Sequence, residues 1–274
     1  MRPLYPKEGE LFKQNSRARI DYTNANEGYV VVRVFDLNPN KKFKVHQQLG
    51  DKSQNFNAHP ISDEVYIPLL FGSGVYNIIV YRQINGGDSD RYNTALSISL
   101  NVELVDEFRP WLYPTAYASY FPGSKVEEVS FALIKGAKND FERFNAILHG
   151  VMDRLEYDSE LAKTVSHETS FYIPSPEFVL MYGKGICFGY ASVVAALARI
   201  AGIPCKIVVG WAGNQYHAWN EVYLHNKGKF APDCPETEEN SWNIVDVTFA
   251  DGMNNIKIFY DLIESDFYKV HYYG

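Results

Sequence analysis

The chain has 274 residues, enough for one large domain or two of ordinary size. A hydrophobic fraction of 46% and a charged fraction of 22% are typical of globular proteins and exclude a disordered or fibrous chain. The formal net charge of -7 argues against nucleic acid as a partner, because affinity for the phosphate backbone depends on clustered cations. No stretch approaches the roughly 20 apolar residues of a transmembrane segment. The first eight residues also lack the apolar core of a signal peptide.

Short runs rich in β-branched and aromatic residues, separated by turn signals, fill the first 105 residues. The clearest runs are 28–35, 64–70, 75–82 and 95–105. Because period-two alternation with turns at this spacing is typical of antiparallel sheets, the sequence predicts an Ig-like β-sandwich over residues 1–105. The paired cysteines of antibody domains are absent from this segment, so the prediction covers the broad architecture only.

The pattern changes after a connector at residues 106–124, in which three prolines lie among aromatic residues. A helix is predicted to begin at an N-cap, Asp140, and an apolar helical stripe follows it. A second, Ala-rich helix is predicted over residues 186–201. Strands are predicted over residues 205–211, 217–224 and 242–249. Helices followed by an antiparallel sheet predict an α+β domain over residues 125–274.

The cysteine pattern points to a nucleophile rather than to disulfides. The chain has three cysteines, an odd number, and all lie after residue 186. Cys187 follows Gly183 and Gly185 and falls in the first turn of the second helix, where the helix dipole and free backbone N–H groups favour an anionic thiolate. The same N–H groups can hold an oxyanion. Cys205 and Cys234 lack such neighbours and are interpreted as small buried hydrophobes.

A histidine and an aspartate complete a possible triad with this cysteine. His217 begins a predicted strand, so it lies at the rim of the sheet, and alternation places Trp219 on the same face. Asp246 lies inside an apolar strand, where a carboxylate is costly unless it is paired. The order cysteine, histidine, aspartate suits a nucleophile, a base and a residue that orients the base.

Four sequence blocks resemble the transglutaminase-like superfamily, whose members have a papain-type Cys-His-Asp fold. The blocks are Gly-Ile-Cys-Phe-Gly-Tyr-Ala (185–191), Ala-Gly-Ile-Pro-Cys-Lys (201–206), Tyr-His-Ala-Trp-Asn-Glu-Val (216–222) and Asp-Val-Thr (246–248). They occur in the order that the family shows, within a resemblance that covers about residues 125–250. The β-domain and the Pro-aromatic connector resemble bacterial members that are commonly exported.

The resemblance implies Cys187 as nucleophile, His217 as base and Asp246 as the orienting residue. It also implies an aromatic oxyanion donor upstream of the cysteine, for which Tyr157 is the candidate. Trp211 and Trp219 are candidate groove walls, with core packing as the alternative. One position departs from the family, since many bacterial relatives carry Asp where this chain has Gly189.

The expected function is therefore thiol-dependent acyl transfer on amide bonds of proteins or peptides, with hydrolysis favoured. Cross-linking by glutamine γ-glutamyl transfer and a non-catalytic binding or scaffold module are the alternatives. No metal-ligand spacing or nucleotide-binding motif is found, so no metal and no cofactor are expected. The resemblance implies an extracellular or cell-surface location and a cell-surface partner for the β-domain, and the free thiols favour the cytoplasm as the alternative.

Overall fold

A computed structural model describes residues 2–7, 9–35, 41–58, 64–84, 91–165, 172–230, 236–253 and 267–274. The chain divides into two compact units, Pro6–Ala116 and Tyr117–Gly274, the second of which includes the first residues of the chain. The division falls inside the predicted connector, residues 106–124. No helix in the ranges given above combines the length and the hydropathy needed to cross a bilayer.

The first unit is built from strands, as the sequence predicts. Its described strands are β1 (Phe12–Gln14), β2 (Ala18–Asp21), β3 (Tyr29–Val34), β4 (Phe43–Leu49), β5 (Lys52–Ala58), β6 (Val65–Pro68), β7 (Gly74–Gln83) and β8 (Tyr92–Val102). They form two antiparallel sheets, ordered β1-β2-β3-β6 and β5-β4-β7-β8. On β7 the alternate residues Tyr76, Ile78 and Val80 are buried, which is the period-two pattern of a sheet with one face in the core.

A buried amide joins the two sheets of this unit. The Nε2 of Gln47, on β4, donates to the carbonyl oxygen of Pro68 at the end of β6 over 2.9 Å. The backbone N–H of Leu70 donates to Oε1 of the same side chain over 3.2 Å. Because both ends of the buried amide are hydrogen-bonded, Gln47 avoids the cost of an unsatisfied polar group and fixes the β4–β6 approach.

The second unit combines helices with an antiparallel sheet, which confirms the predicted α+β class. Its described helices are α1 (Lys125–Leu133), α2 (Asp140–Met152), α3 (Ser159–Thr164), α4 (Pro176–Tyr182), α5 (Cys187–Ile200) and α6 (Val247–Met253). The described strands are β9 (Glu156–Tyr157), β10 (Lys184–Gly185), β11 (Cys205–Ala212), β12 (Gln215–Leu224), β13 (Ser241–Val245) and β14 (Tyr268–Tyr273). The main sheet has the order β13-β12-β11-β14, and β9 and β10 form a short parallel pair.

Helix α5 is the core element of this unit, and its residues from 189 to 200 are all buried. Near its end, the fully buried Arg199 donates from Nε to the carbonyl of Cys205 over 3.0 Å and from a terminal nitrogen to the carbonyl of Gly274 over 3.1 Å. These bonds tie the helix to the start of β11 and to the end of β14. Asn220, on β12, donates to the carbonyl of Ala191 over 3.0 Å and so fixes the sheet against α5.

Two local predictions are wrong. Helix α2 is capped by Asn139, whose side chain accepts from the N–H of Glu142 over 2.8 Å. The predicted cap, Asp140, is buried and instead accepts from the backbone N–H groups of His225 and Asn226. The strand predicted over residues 242–249 ends at residue 245, and α6 begins at residue 247.

Gly210 on β11 is a position where the sheet leaves no room for a side chain. A Cβ there would lie 2.0 Å from the carbonyl oxygen of Lys269, because β14 approaches closely at an irregularity next to Gly210. We expect Gly210→Ala to lower the free energy of unfolding by roughly 1–3 kcal/mol, since the backbone of β14 must move.

The measurement is urea unfolding followed by circular dichroism, with Gly189→Ala as the control. A Cβ at Gly189 would meet its nearest neighbour at 3.4 Å, an ordinary contact. Equal urea midpoints for Gly210→Ala and the wild type would contradict this account of the β11–β14 contact.

Candidate active site

Cys187 is the first residue of α5 and is partly exposed to solvent. The backbone turns sharply before Cys187. Gly183 ends α4 with φ of 68°, in the left-handed region that favours glycine, and β10 follows directly. Ile186 holds the N-cap position and makes no side-chain capping bond. The backbone N–H groups of the first turn are therefore not occupied by a capping side chain, and the thiol lies beside them.

His217 and Asp246 form a short hydrogen bond in the interior of the domain. The Nε2 of His217 lies 2.6 Å from Oδ2 of Asp246. His217 is 7% exposed and Asp246 is 1% exposed, so water hardly screens the pair. The imidazole also makes a hydrogen bond with the Cys187 side chain, and since Nε2 faces the carboxylate, Nδ1 is the nitrogen that serves the thiol. The structure thus brings the three predicted residues together.

The Asp246 carboxylate is held from two further directions. Its Oδ1 accepts from the backbone N–H of Phe249 over 3.1 Å, which makes Asp246 the N-cap of α6. The hydroxyl of Tyr268, on β14, donates to Oδ2 over 3.0 Å. A buried carboxylate with this many donors is satisfied as an anion. Asp246 therefore presents a fixed negative charge to His217.

The electrostatics of the site keep His217 charged. Burial lowers the pKa of the imidazole, but the Asp246 carboxylate raises it more, and the hydrogen bond to Cys187 adds to that effect. The net result is a pKa of about 10, against an ordinary value of 6.5. His217 is consequently an imidazolium at neutral pH, which is the form that favours a thiolate at a neighbouring cysteine.

Aromatic rings fix the orientation of the imidazole. Trp219 lies nearly parallel to the His217 ring, with centroids 6.4 Å apart, and Phe249 meets the ring edge-on at 5.1 Å. Trp219 is only 1% exposed and packs beneath the histidine, so the structure agrees with core packing for this residue and not with a groove wall. Trp211 is 39% exposed and contacts Tyr216 edge-on, so its role as a groove wall stays a prediction.

Tyr157 lies where the resemblance implies an oxyanion donor. It is on β9 and is paired with Gly185 of β10. Gly185 lies two residues before the nucleophile in the sequence. Its side chain is 46% exposed. Partial burial raises the pKa of the phenol, and the nearby Cys187 raises it further. Tyr157 therefore keeps its proton and can donate a hydrogen bond. The oxyanion role of this hydroxyl stays a prediction.

Sequence reasoning missed Tyr268, and it missed two further tyrosines near the thiol. Tyr172, in the loop before α4, and Tyr272, on β14, both interact electrostatically with Cys187. The alternating segment 267–273 signals a strand, but only the long-range pairing of β14 with β11 shows which residues it places at the site.

Cys205 is buried, as expected of a small hydrophobe, and Cys234 lies outside the described residues. Across the described ranges, no three His, Cys, Asp or Glu side chains converge as metal ligands would.

A family model matches most of the second unit up to Val247. Residues 127–247 match the model of the transglutaminase-like superfamily. This part of the chain is a transglutaminase-like domain. Members of the superfamily are generally cysteine-dependent enzymes, and the matched segment contains all three residues of the candidate triad.

Two curated proteins resemble about two thirds of this chain. Human kyphoscoliosis peptidase is 26% identical over 205 residues, which cover 68% of this chain and 27% of that protein. The mouse protein of the same name is 29% identical over 188 residues, which cover 63% of this chain and 25% of that protein. This chain thus spans about a quarter of the length of these relatives.

Two solved structures superpose on this chain with low sequence identity. A candidate cysteine protease from Cytophaga hutchinsonii superposes with a TM-score of 0.40 and 17% identity, over 82% of this chain and 81% of that one. Red sea bream transglutaminase superposes with a TM-score of 0.32 and 14% identity, over 80% of this chain and 48% of that one. At these TM-scores, the superpositions add nothing to the family assignment.

Replacing the Asp246 carboxylate tests the electrostatic coupling in the transglutaminase-like domain. Asp246→Asn keeps the size of the side chain but removes its charge, which is the main influence that raises the His217 pKa. We expect the pKa of His217 to fall by more than about one unit. NMR titration of the His217 imidazole signals measures this change. Tyr268→Phe, which removes only the hydroxyl donor to Asp246, is the control with the smaller effect. An unchanged His217 titration in Asp246→Asn would contradict the coupling.

The raised pKa of His217 also predicts how stability depends on pH. The folded protein holds this proton up to about pH 10, whereas the unfolded chain releases it near pH 6.5. The stabilisation of the folded state by the His217 proton is therefore fully present below pH 6.5 and is lost as the pH rises through about 10. We expect urea unfolding midpoints to fall more steeply from pH 6.5 to 9.5 in the wild type than in His217→Gln. Parallel profiles in the two proteins would contradict the raised pKa.

Proposed function

We propose that the transglutaminase-like domain is a thiol hydrolase that cleaves amide bonds of proteins or peptides through Cys187, His217 and Asp246. One observation carries the proposal: the buried imidazole of His217 is hydrogen-bonded to a carboxylate on one side and to a partly exposed thiol on the other. This is the arrangement of a nucleophile, a base and the group that orients the base.

The residues support acyl transfer through a thioester. The Cys187 thiolate attacks the amide carbonyl carbon, and the carbonyl oxygen becomes an oxyanion near the first turn of α5 and the Tyr157 hydroxyl. The C–N bond breaks as the His217 imidazolium gives its proton to the leaving amine. Water then attacks the thioester while His217 takes up a proton from it. The carboxylic acid leaves, and the Cys187–His217 pair is restored.

Solvent access supports hydrolysis over cross-linking. Transfer to an amine requires that water be kept from the thioester. Here Cys187 is partly exposed, and Tyr157 beside it is 46% exposed, so water can reach the sulfur. Cross-linking by glutamine γ-glutamyl transfer uses the same three residues and is the second candidate. A non-catalytic module of the same fold is the third, and the intact set of three residues argues against it.

The exported setting belongs to the same proposal. The resemblance of the β-domain and connector to exported bacterial members supports an extracellular or cell-surface location, with the cytoplasm as the alternative. It also supports a cell-surface partner for the N-terminal unit and a protein or peptide substrate for the domain.

A direct assay separates the candidate functions. Unfolded casein is incubated with the protein and a fluorescent primary amine, and mass spectrometry follows peptide cleavage, glutamine deamidation and amine incorporation. We expect cleavage or deamidation to exceed amine incorporation and to fall by at least a hundred-fold in Cys187→Ala and His217→Ala.

Two outcomes would overturn the proposal. Amine incorporation in excess of hydrolysis would identify a cross-linking enzyme. A wild type that leaves casein unchanged, and whose Cys187 reacts with iodoacetamide no faster than a free cysteine peptide at pH 6, would identify a non-catalytic module.

A further inference from the structure

A second phenol lies beside the nucleophile, from a part of the chain that the sequence motifs do not cover. Tyr172 belongs to the loop that precedes α4. Its ring meets the ring of Phe188, the residue after the nucleophile, edge-on with centroids 6.5 Å apart. Its hydroxyl lies 3.7 Å from the point where a Cβ of Gly189 would be. The phenol is thus positioned over the first turn of α5.

The glycine at position 189 makes room for this phenol. Gly189 lies in the first turn of α5, two residues after Cys187. A Cβ there would meet Val179 at 3.4 Å and the Tyr172 hydroxyl at 3.7 Å, so a side chain that extends further would enter the space around the hydroxyl. Glycine at position 189 therefore leaves the space beside the Tyr172 hydroxyl open.

The Tyr172 hydroxyl has no hydrogen-bond partner among the described residues, although its ring is half-buried. Burial raises the pKa of the phenol, and Asp158 and Cys187 raise it further, so the group stays protonated. This protonated hydroxyl lies close to the thiol and to the N-terminus of α5, and it has no acceptor among the residues described there. It is therefore available to donate a hydrogen bond to an anion that forms at the site.

We propose that Tyr172 is a further catalytic residue, whose hydroxyl donates a hydrogen bond to the oxyanion that forms when Cys187 attacks a carbonyl group. The inference rests on the proposed function, in that it assigns a donor for the same acyl-transfer step. It places the oxyanion between the first turn of α5 and the hydroxyls of Tyr157 and Tyr172. Tyr172 thereby takes part in the transition state rather than in forming the thiolate.

Two reactions of the same thiol separate these roles. With p-nitrophenyl acetate, the Cys187 sulfur bonds to the acetyl carbon, an oxyanion forms, and the C–O bond breaks as p-nitrophenolate leaves with the electron pair. With iodoacetamide, the sulfur displaces iodide from a saturated carbon, and no oxyanion forms. A donor to the oxyanion affects only the first reaction, whereas a residue that maintains the thiolate or the fold affects both.

The experiment measures both rate constants at pH 7 in the full chain, for the wild type and Tyr172→Phe. Acylation is followed by stopped-flow release of p-nitrophenolate and alkylation by mass spectrometry of Cys187. We expect Tyr172→Phe to slow acylation by roughly ten- to a hundred-fold and to change alkylation by less than about two-fold. Tyr182→Phe is the matched control, because Tyr182 is 74% exposed on α4, and it should change neither rate.

A second pair of variants tests the geometry without altering the tyrosine. Gly189→Asn adds a neutral acceptor within reach of the Tyr172 hydroxyl, so it should withdraw the donor and slow acylation as Tyr172→Phe does. Gly189→Ala adds only a Cβ at contact distance and should leave acylation within about three-fold of the wild type.

Three results would overturn the inference: acylation unchanged in Tyr172→Phe, acylation and alkylation slowed equally, or Gly189→Asn as fast as Gly189→Ala. These results are independent of the amide substrate. A wild type that is acylated by the ester but cleaves no casein would refute the proposed amide hydrolysis and leave the test of Tyr172 valid.

Discussion

The hydrogen bond between His217 and Asp246 is the interaction on which the site depends. A carboxylate and an imidazolium buried this deeply are tolerated only because each satisfies the other. Asp246, directly after β13, also caps α6 and accepts from Tyr268 on β14, so its side chain joins β12, α6 and β14. The same charge that orients the imidazole therefore helps to hold the local fold, and stability and reactivity share one residue.

The core of the site could be predicted from sequence because its residues carry strong local signals. Cys187 follows two glycines at a helix start, His217 lies near the start of an alternating strand, and Asp246 is a charge in an apolar run. Each signal is readable within about ten residues. Tyr268 and Tyr172 could not be found in this way, because their roles depend on contacts with residues 22 and 17 positions away along the chain, at Asp246 and Gly189.

The fold shows the same limit. Period-two and helical patterns were enough to predict a strand-rich first part and an α+β second part. The strand predicted over 242–249 failed because alternation does not show that Asp246 caps a helix, although aspartate at such a position is a known helix start. Alternation left Trp219 open between a groove wall and core packing, because it assigns a face and does not show what covers that face. In the structure Tyr268 packs on the indole, with ring centroids 4.8 Å apart.

His217 activates Cys187 as a nucleophile, and the rate of Cys187 alkylation in the presence and absence of this imidazole measures that activation. Iodoacetamide labelling is followed by mass spectrometry at pH 6, in the wild type and in His217→Ala, with Cys205, which is fully buried, as an internal reference. We expect Cys187 to be labelled at least roughly ten-fold faster in the wild type than in His217→Ala, because the neighbouring imidazolium favours the thiolate. Equal labelling rates of Cys187 in the two proteins would contradict this activation.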